Sequence, residues 1–398
     1  MRKVWLLALG AFTLGLDAYV MAGLLPVVAD DLGTTVSLAG QMVTVFTLAY
    51  AIAAPLVAGA RGGMSPRTWI VVALAVFTLG NAATALAPSL GVLLAARVVA
   101  GAGAGVYSAL STAAASALAG PERRGRALAL VMGGMSTGTV LGVPVGVLLA
   151  ERAGWRSTMW LVTALGAVAL VGLVALLPPV PADPAVSVRA RLAAVTDRRV
   201  APVVGVSFLA AVASLGLYTY LAPVLADAGR VREVAPYLWA WGIGGVLGSL
   251  AAGPLVDRTA GSGRRGGVAA LVGVVMAAIA GAQALLPALA PVPLAAAAAL
   301  VIWGAAGWAL QVPQQHRLLA LRDDRGTVAL ALNNSALYLG SAAGSALGGL
   351  ALGAGVAPAA LPWAAAGIAA LGLALHMWAS RRSRHGVRVG TLDGYEHS

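Results

Sequence analysis

Fourteen acidic residues occur in the sequence, and Asp17 alone stands well inside a long apolar run, LGLDAYVMAGLLPVV at 14–28. The others fall in polar breaks or near the ends of apolar stretches. An ionisable group at bilayer depth costs roughly 2.5–3.5 kcal/mol to insert, so it faces a cavity or a partner. A carboxylate held there can bind and release protons as its surroundings change, which is the chemistry of proton coupling; the structural alternative is a hydrogen bond to a neighbouring helix. Arg97, in LLAARVVAGAGAGVY, is the one basic residue within an apolar run. Either it snorkels to the membrane surface or it faces a cavity and stabilises an anionic carboxylate, and Asp17 is its obvious partner.

Residues suited to holding an uncharged ligand are few. Tyr19, Tyr107 and Tyr218 could line an amphipathic cavity, and Gln311 and Asn334 could hydrogen-bond a ligand there; each could equally serve the interfacial belt or helix packing. The run GGMSTGTVLGVPVG sets Gly138, Gly142 and Gly146 four residues apart, the spacing that lets two helices approach closely, and Pro144 adds a kink. Cysteine is absent and the four histidines are scattered, so no metal site is expected. No phosphate-binding loop ends in Gly-Lys-Ser/Thr, and no nucleophile with its base is evident, so neither a cofactor nor enzymatic catalysis is expected.

The elements that must position these residues are membrane helices. Hydrophobic residues make up 60% of the chain and charged residues 10%, far from the roughly 25% charged of a soluble domain. Twelve stretches are long enough to cross a bilayer: 4–28, 36–60, 68–88, 91–118, 126–150, 157–178, 200–225, 234–256, 267–288, 293–316, 328–352 and 360–380. The fold class expected is therefore an all-α membrane protein of twelve transmembrane helices in two pseudo-symmetric halves. The expected organisation is a six-helix bundle over 1–178, a cytoplasmic linker over 179–199, a second six-helix bundle over 200–380 and a cytoplasmic tail over 381–398. The linker's DPAVSVRARLAAVTDRR could form an amphipathic helix on the membrane surface.

Arg152, Arg156, Arg230 and Arg232 fall on one side of these spans, and apart from Arg97 the rest of the 26 basic residues fall on the other. That bias is expected to place both termini and the long connector in the cytoplasm, and it accounts for the formal charge of +12 without nucleic acid. The expected partners are lipid, protons and a small-molecule substrate, with the chain acting as a monomer.

The halves repeat. LLPVVAD at 24–30 returns as LAPVLAD at 221–227, and RGRALAL at 124–130 as RGTVALAL at 325–332; each of the latter opens a stretch with glycines every fourth residue, including Gly340, Gly344 and Gly348. Six spans separate the copies, so the repeat is parallel, a pattern of secondary transporters with a site near the midplane between the halves. At the offset of the first match Asp17 falls on Ser214, so a proton site would belong to the first half.

Most of the chain resembles the major facilitator superfamily, in particular its twelve-helix drug:proton antiporters of the arabinose-efflux-like and chloramphenicol-efflux-like branch. The resembling segments are GLLPVVADDLGTTVSLAGQMVTVFTLAYAIAAPL, LLAARVVAGAGAGVYSA, PERRGRALALVMGGMSTGTVLGVPVGVLLAERAGWRSTMW and GPLVDRTAGSGRR. The resemblance implies that Asp17 is a protonation site, although many members carry a glutamate about one residue later. It implies that Arg97, with Gly101, is the arginine of a motif tied to proton coupling. Gly138, Gly142, Pro144 and Gly146 match the antiporter motif, with Gly142-Val143-Pro144 in place of the usual Gly-Pro pair. Of the cytoplasmic loop motif, Gly59 and Arg67 survive while Gly63 stands where an aspartate is usual; its second-half copy is kept as Gly253, Asp257 and Arg258, followed by Arg264 and Arg265. The expected function is proton-driven export of small amphipathic organic compounds by alternating access, with the proton gradient as energy source. Sugar efflux and a non-transporting receptor are the alternatives.

Overall fold

The computed structural model describes residues 2–59, 64–119, 123–181, 197–261, 266–320 and 326–392. The expected surface helix in the linker, Gly63, Arg264 and Arg265 lie outside these residues. The first half contains α1 (Arg2–Asp31), α2 (Val36–Gly59), α3 (Pro66–Ala85), α4 (Leu90–Ala119), α5 (Arg124–Thr137), a π-helical segment (Gly138–Gly142), α6 (Val143–Ala153) and α7 (Trp155–Leu176). The second contains α8 (Val200–Thr219), α9 (Leu221–Gly229), α10 (Ala235–Gly261), α11 (Gly267–Leu289), α12 (Pro293–Ala309), α13 (Gln311–Leu319), α14 (Gly326–Gly353) and α15 (Leu361–Leu392). Among the described residues there is no strand, and twelve helical stretches are long and apolar enough to cross a membrane.

Turn chemistry sets the boundaries. Gly33, Gly154 and Gly355 take positive φ where the chain reverses, a region L side chains rarely occupy. Ser65 caps α3 by accepting from the Thr68 amide, with Pro66 in the first turn, where its missing N–H is not needed. Three spans read as continuous in the sequence are interrupted, each about one turn before a proline. Pro223 follows the break at Tyr220, Pro313 the break at Leu310, and Pro144 the π segment. A proline gives the carbonyl four residues back no hydrogen-bond donor and crowds it, so the helix breaks or widens there. The last span runs on as helix to Leu392, beyond the expected end at 380, with no proline in its way.

The repeat is visible as a packing scheme. In the first half α1 packs on α5, α2 on α4 and α3 on α7; in the second α8 packs on α14, α10 on α12 and α11 on α15. Glycines make the first of these pairs close. Gly134 and Gly138 lie against the backbone of α1 at Ala8 and Phe12, and Gly340 and Gly344 against α8 at Phe208 and Val212. A Cβ at any of them would collide with a carbonyl, the small-residue logic of membrane helices.

The first described helix starts and the last one ends at the same end of the bundle, and hydrogen bonds join the halves at the other, called here the far end. There Ser37 Oγ in α2 donates to the Gly349 carbonyl in α14 at 2.6 Å, and Ser345 Oγ donates back to the Gly40 carbonyl at 3.2 Å. α10 packs on the π segment and on α6, the far half of that span.

Candidate functional site

Asp17, near the middle of α1, is fully buried, and Arg97 in α4 is 1% exposed. Arg97 Nη1 donates to Asp17 Oδ1 at 2.7 Å. Asn81 in α3 joins them: its Nδ2 lies 3.5 Å from Asp17 Oδ2, and its Oδ1 accepts from Arg97 Nη1 at 3.3 Å. Beneath the guanidinium is the ring of Phe46 in α2, with Arg97 Cζ 4.1 Å from the centroid. Four helices thus meet at one buried charge pair. Arg97 neither reaches the surface nor lines the space between the halves; it sits in the core of the first bundle.

Glycines in α4 make this convergence possible. Gly101 and Gly105 lie on the backbone of α2 at Phe46 and Tyr50, while Gly103 faces Ala73 and Phe77 of α3. The GAGAG run is therefore a two-sided packing surface that lets α2 and α3 close on either flank of α4. Gly80 of α3 lies equally close to Ala100, which brings the adjacent Asn81 within reach of Arg97. Asn81 was not singled out from the sequence. Its signal was faint but present: a lone amide inside an apolar span.

The same position in the second half is occupied without charge. Ser214, aligned with Asp17, accepts from Trp303 Nε1 of α12 at 2.7 Å, and Gln283 of α11 donates to the Ala213 carbonyl at 3.1 Å. The helix ends are likewise doubled. Asp31 closes α1 onto the start of α7, accepting from Trp155 Nε1 at 3.0 Å and from Arg156, while Asp227 at the end of α9 accepts from the Ala359 amide at the start of the last span. The sequence match pairs Asp30 with Asp227, and in the first half it is the adjacent Asp31 that makes the corresponding tie to the sixth span.

Between the halves lies a small cleft, with about 20 Å³ of room for solvent, whose polar wall is Tyr19, Thr47, Tyr218, Thr219, Tyr338 and Ser341. Tyr19 meets Tyr218 edge-on at 5.7 Å between centroids and lies 5.8 Å from Trp241 and 6.2 Å from Trp308. Tyr50 of α2 stacks on Tyr338 of α14 at 3.6 Å. Phe46, under Arg97, is 6.4 Å from Tyr50, so rings lead from the charge pair to the boundary between the halves.

Of the residues named as ligand contacts from the sequence, Tyr19 and Tyr218 line this cleft. Tyr107 does not: its ring packs over Gly10 and its hydroxyl donates to the Leu7 carbonyl at 3.0 Å, inside the first bundle. Gln311 is half-buried at the start of α13, and Asn334 is exposed on α14; neither is on the cleft wall. The nearby amide that is engaged is Gln314, which donates to the Val203 carbonyl and to Ser207. Gly142 packs on Leu16, and Gly146 on Val20 and Thr158, so with Gly138 they seat their span on α1, with Pro144 between them. Gly59 ends α2, and Arg67 donates to the Val174 carbonyl at 2.8 Å, tying α3 to α7. Gly253 is in the terminal-end part of α10; Asp257 and Arg258 follow, exposed and without an ion pair among the described residues.

Comparison with known proteins agrees with this architecture. The inner membrane transport protein YdhP of Escherichia coli K12 is 30% identical over 385 residues, spanning 96% of this chain and 97% of that protein. A chloramphenicol resistance protein of Streptomyces lividans is 32% identical over 356 residues, 88% of this chain and 89% of its own. Among solved structures, a bacterial homologue of the human lysosomal transporter Spinster, inward-facing and unoccupied, superposes with a TM-score of 0.74 at 17% identity, covering 96% of both chains. The sequence profile of the Major Facilitator Superfamily matches residues 7–345. With twelve spans, a parallel repeat and a cleft between the halves, this chain belongs to that superfamily and is a multi-pass membrane transporter.

Proposed function

We propose that the chain is a proton-coupled antiporter that exports small amphipathic organic compounds, such as antibiotics or secondary metabolites. The observation that carries this reading is the Asp17–Arg97–Asn81 cluster, an ionisable pair sealed inside the first bundle and connected by Phe46 and Tyr50 to the cleft. The name of the Streptomyces relative supports drug efflux. The bias of basic residues puts the termini in the cytoplasm, and the E. coli relative supports an inner membrane location.

The working cycle follows from charge balance. With Asp17 ionised, Arg97 is neutralised and held on the Phe46 ring. Protonation of Asp17 leaves the guanidinium without a counter-charge in a low-dielectric core, where an unpaired ion is costly, so Arg97 and the helices around it must rearrange. That rearrangement reaches α2, whose Tyr50 stacks on Tyr338 of the other half. Substrate and proton compete through opposite preferences for the two arrangements, which is what coupling requires. The test is transport in proteoliposomes under an imposed pH gradient. Asp17→Asn is expected to abolish uphill accumulation while leaving downhill exchange; undiminished uphill transport would sink the proposal.

A further inference from the structure

A second space lies on the flank of the second half, away from the cleft. Where α8, α14 and α15 meet at the far end, small residues leave a crevice with about 80 Å³ of room, against about 20 Å³ in the cleft between the halves. Gly216, Gly344, Gly348, Ala351, Ala364 and Ala365 make its floor and walls. Leu347, on its lining, is 53% exposed, and Leu350 and Trp363, next along α14 and α15, are exposed as well. The crevice is thus continuous with the apolar surface that the spans present to the bilayer.

The lining decides what fills it. Its one polar side chain of note is Tyr220, fully buried, whose hydroxyl already donates to the Ser345 carbonyl at 2.7 Å. A water needs only about 10–15 Å³ of such room, but it also needs about two to four polar partners, and this wall leaves it at most the Tyr220 oxygen. Left empty, the lining side chains lose their contacts on one side. A hydrocarbon chain restores those contacts and asks for no hydrogen bond. Lipid tails are the hydrocarbon at hand on this flank, and since they are as apolar as the wall, fit rather than hydrophobicity seats one there.

Tyr220 gives the site a consequence. It stands at the break between α8 and α9, lining the crevice with its ring against Gly348. Its hydroxyl end lies against Gly40 of α2 and Gly349 of α14, and the Ser345 whose carbonyl it holds donates to the Gly40 carbonyl at 3.2 Å. One side chain is therefore shared by the crevice and by the junction between the halves. An empty crevice gives its ring room to withdraw from α2; a filled one does not.

We infer that an acyl chain of a membrane phospholipid seats in the crevice among α8, α14 and α15 and props Tyr220 against α2, so that lipid occupancy favours the molecule closed at its far end. The inference requires neither proton coupling nor any particular substrate.

The test uses the full chain in nanodiscs containing a phospholipid whose acyl chain carries a diazirine. Illumination is expected to place adducts, mapped by mass spectrometry, on Val212, Leu217 and Ala365, which line the crevice at 4–6% exposure and are out of reach of a chain that stays outside. Ala365→Leu, which fills the crevice from the protein side, should cut the adducts at Val212 and Leu217 roughly fivefold and leave those at the exposed Leu371 unchanged. Spin labels on thiols introduced at Val36 of α2 and Gly353 of α14 report the far end. Methyl-branched diphytanoyl chains are too wide for a slot walled by glycine and alanine. Replacing dioleoyl with diphytanoyl lipid should therefore lower the far-closed population roughly threefold, and should leave it unchanged in Ala365→Leu, whose own side chain props Tyr220. Adducts confined to exposed residues, or equal distance populations in the two lipids, would overturn the inference. Labelling of the buried residues by a diazirine-bearing free alkane but not by the phospholipid would assign the crevice to a free apolar molecule and overturn it as well.

Discussion

At the scale of single residues, the charge pair is the feature with the largest energetic stake. Deleting one member of a buried ion pair costs about 3–5 kcal/mol because the other is left uncompensated. Arg97→Leu is therefore expected to lower the melting temperature in detergent markedly, since it strands Asp17. Adding Asp17→Asn should recover most of that loss while leaving uphill transport abolished. Equal melting of the single and double variants would argue that the pair does not balance charge in the core. Asp17 was legible in the sequence because a carboxylate deep in an apolar run has no ordinary explanation, and Arg97 for the same reason. Asn81 was not, since an amide is cheap enough in a membrane helix to pass as packing. Tyr107 misled because the sequence does not say which face of α4 turns toward the cleft. Its hydroxyl is taken up by the Leu7 carbonyl, one bundle deep.

At the scale of elements, glycine placement determines which helices touch. Gly101 lies on the carbonyl of Phe46, whereas nothing stands near a Cβ at Gly91 at the start of the same helix. Gly101→Val is expected to push α2 from α4, separating Phe46 from Arg97, at a cost of about 1–3 kcal/mol or more for overpacking. Gly91→Ala should leave stability unchanged or raise it by about 0.4–1 kcal/mol, because it restricts the unfolded chain without a clash. Thermal unfolding followed by size-exclusion chromatography distinguishes them, and similar melting of the two variants would contradict this packing. The twelve spans were readable from hydropathy because length and apolarity suffice to mark a helix that crosses a bilayer. The interruptions at Tyr220 and Leu310 were not, because Pro26, Pro55, Pro254 and Pro287 sit inside helices without breaking them. Whether a proline breaks a helix depends on what neighbours supply to the freed carbonyl, which is tertiary information.

At the scale of the whole molecule, the halves are held at the far end by hydroxyl-to-carbonyl bonds between α2 and α14. Each such bond contributes about 0.5–1.5 kcal/mol net, so removing both with Ser37→Ala and Ser345→Ala should shift the ratio of far-closed to far-open molecules by roughly tenfold. The chain contains no cysteine, so thiols introduced at Val36 and Gly353 would be its only ones and can carry spin labels. A longer distance population in the doubly substituted protein is expected; an unchanged distribution would mean that these bonds do not hold the far end. The repeat was visible in the sequence as matching helix ends, yet its deeper form, the same three helix pairs in each half, emerged only from packing. Sequence identity between the copies survives where a turn or a close approach demands it and is lost where any apolar side chain serves.

The cluster of Tyr19, Tyr218, Trp241 and Trp308 has a further consequence, an optical one. Rings 4.3–6.3 Å apart exchange excitation energy efficiently, and their fixed mutual angles make them optically active as a group. Tyr19 belongs to the first half and the other three to the second. In the proposed alternating-access cycle these rings would part and close with the halves, so the spectrum of the unlabelled protein would report that motion.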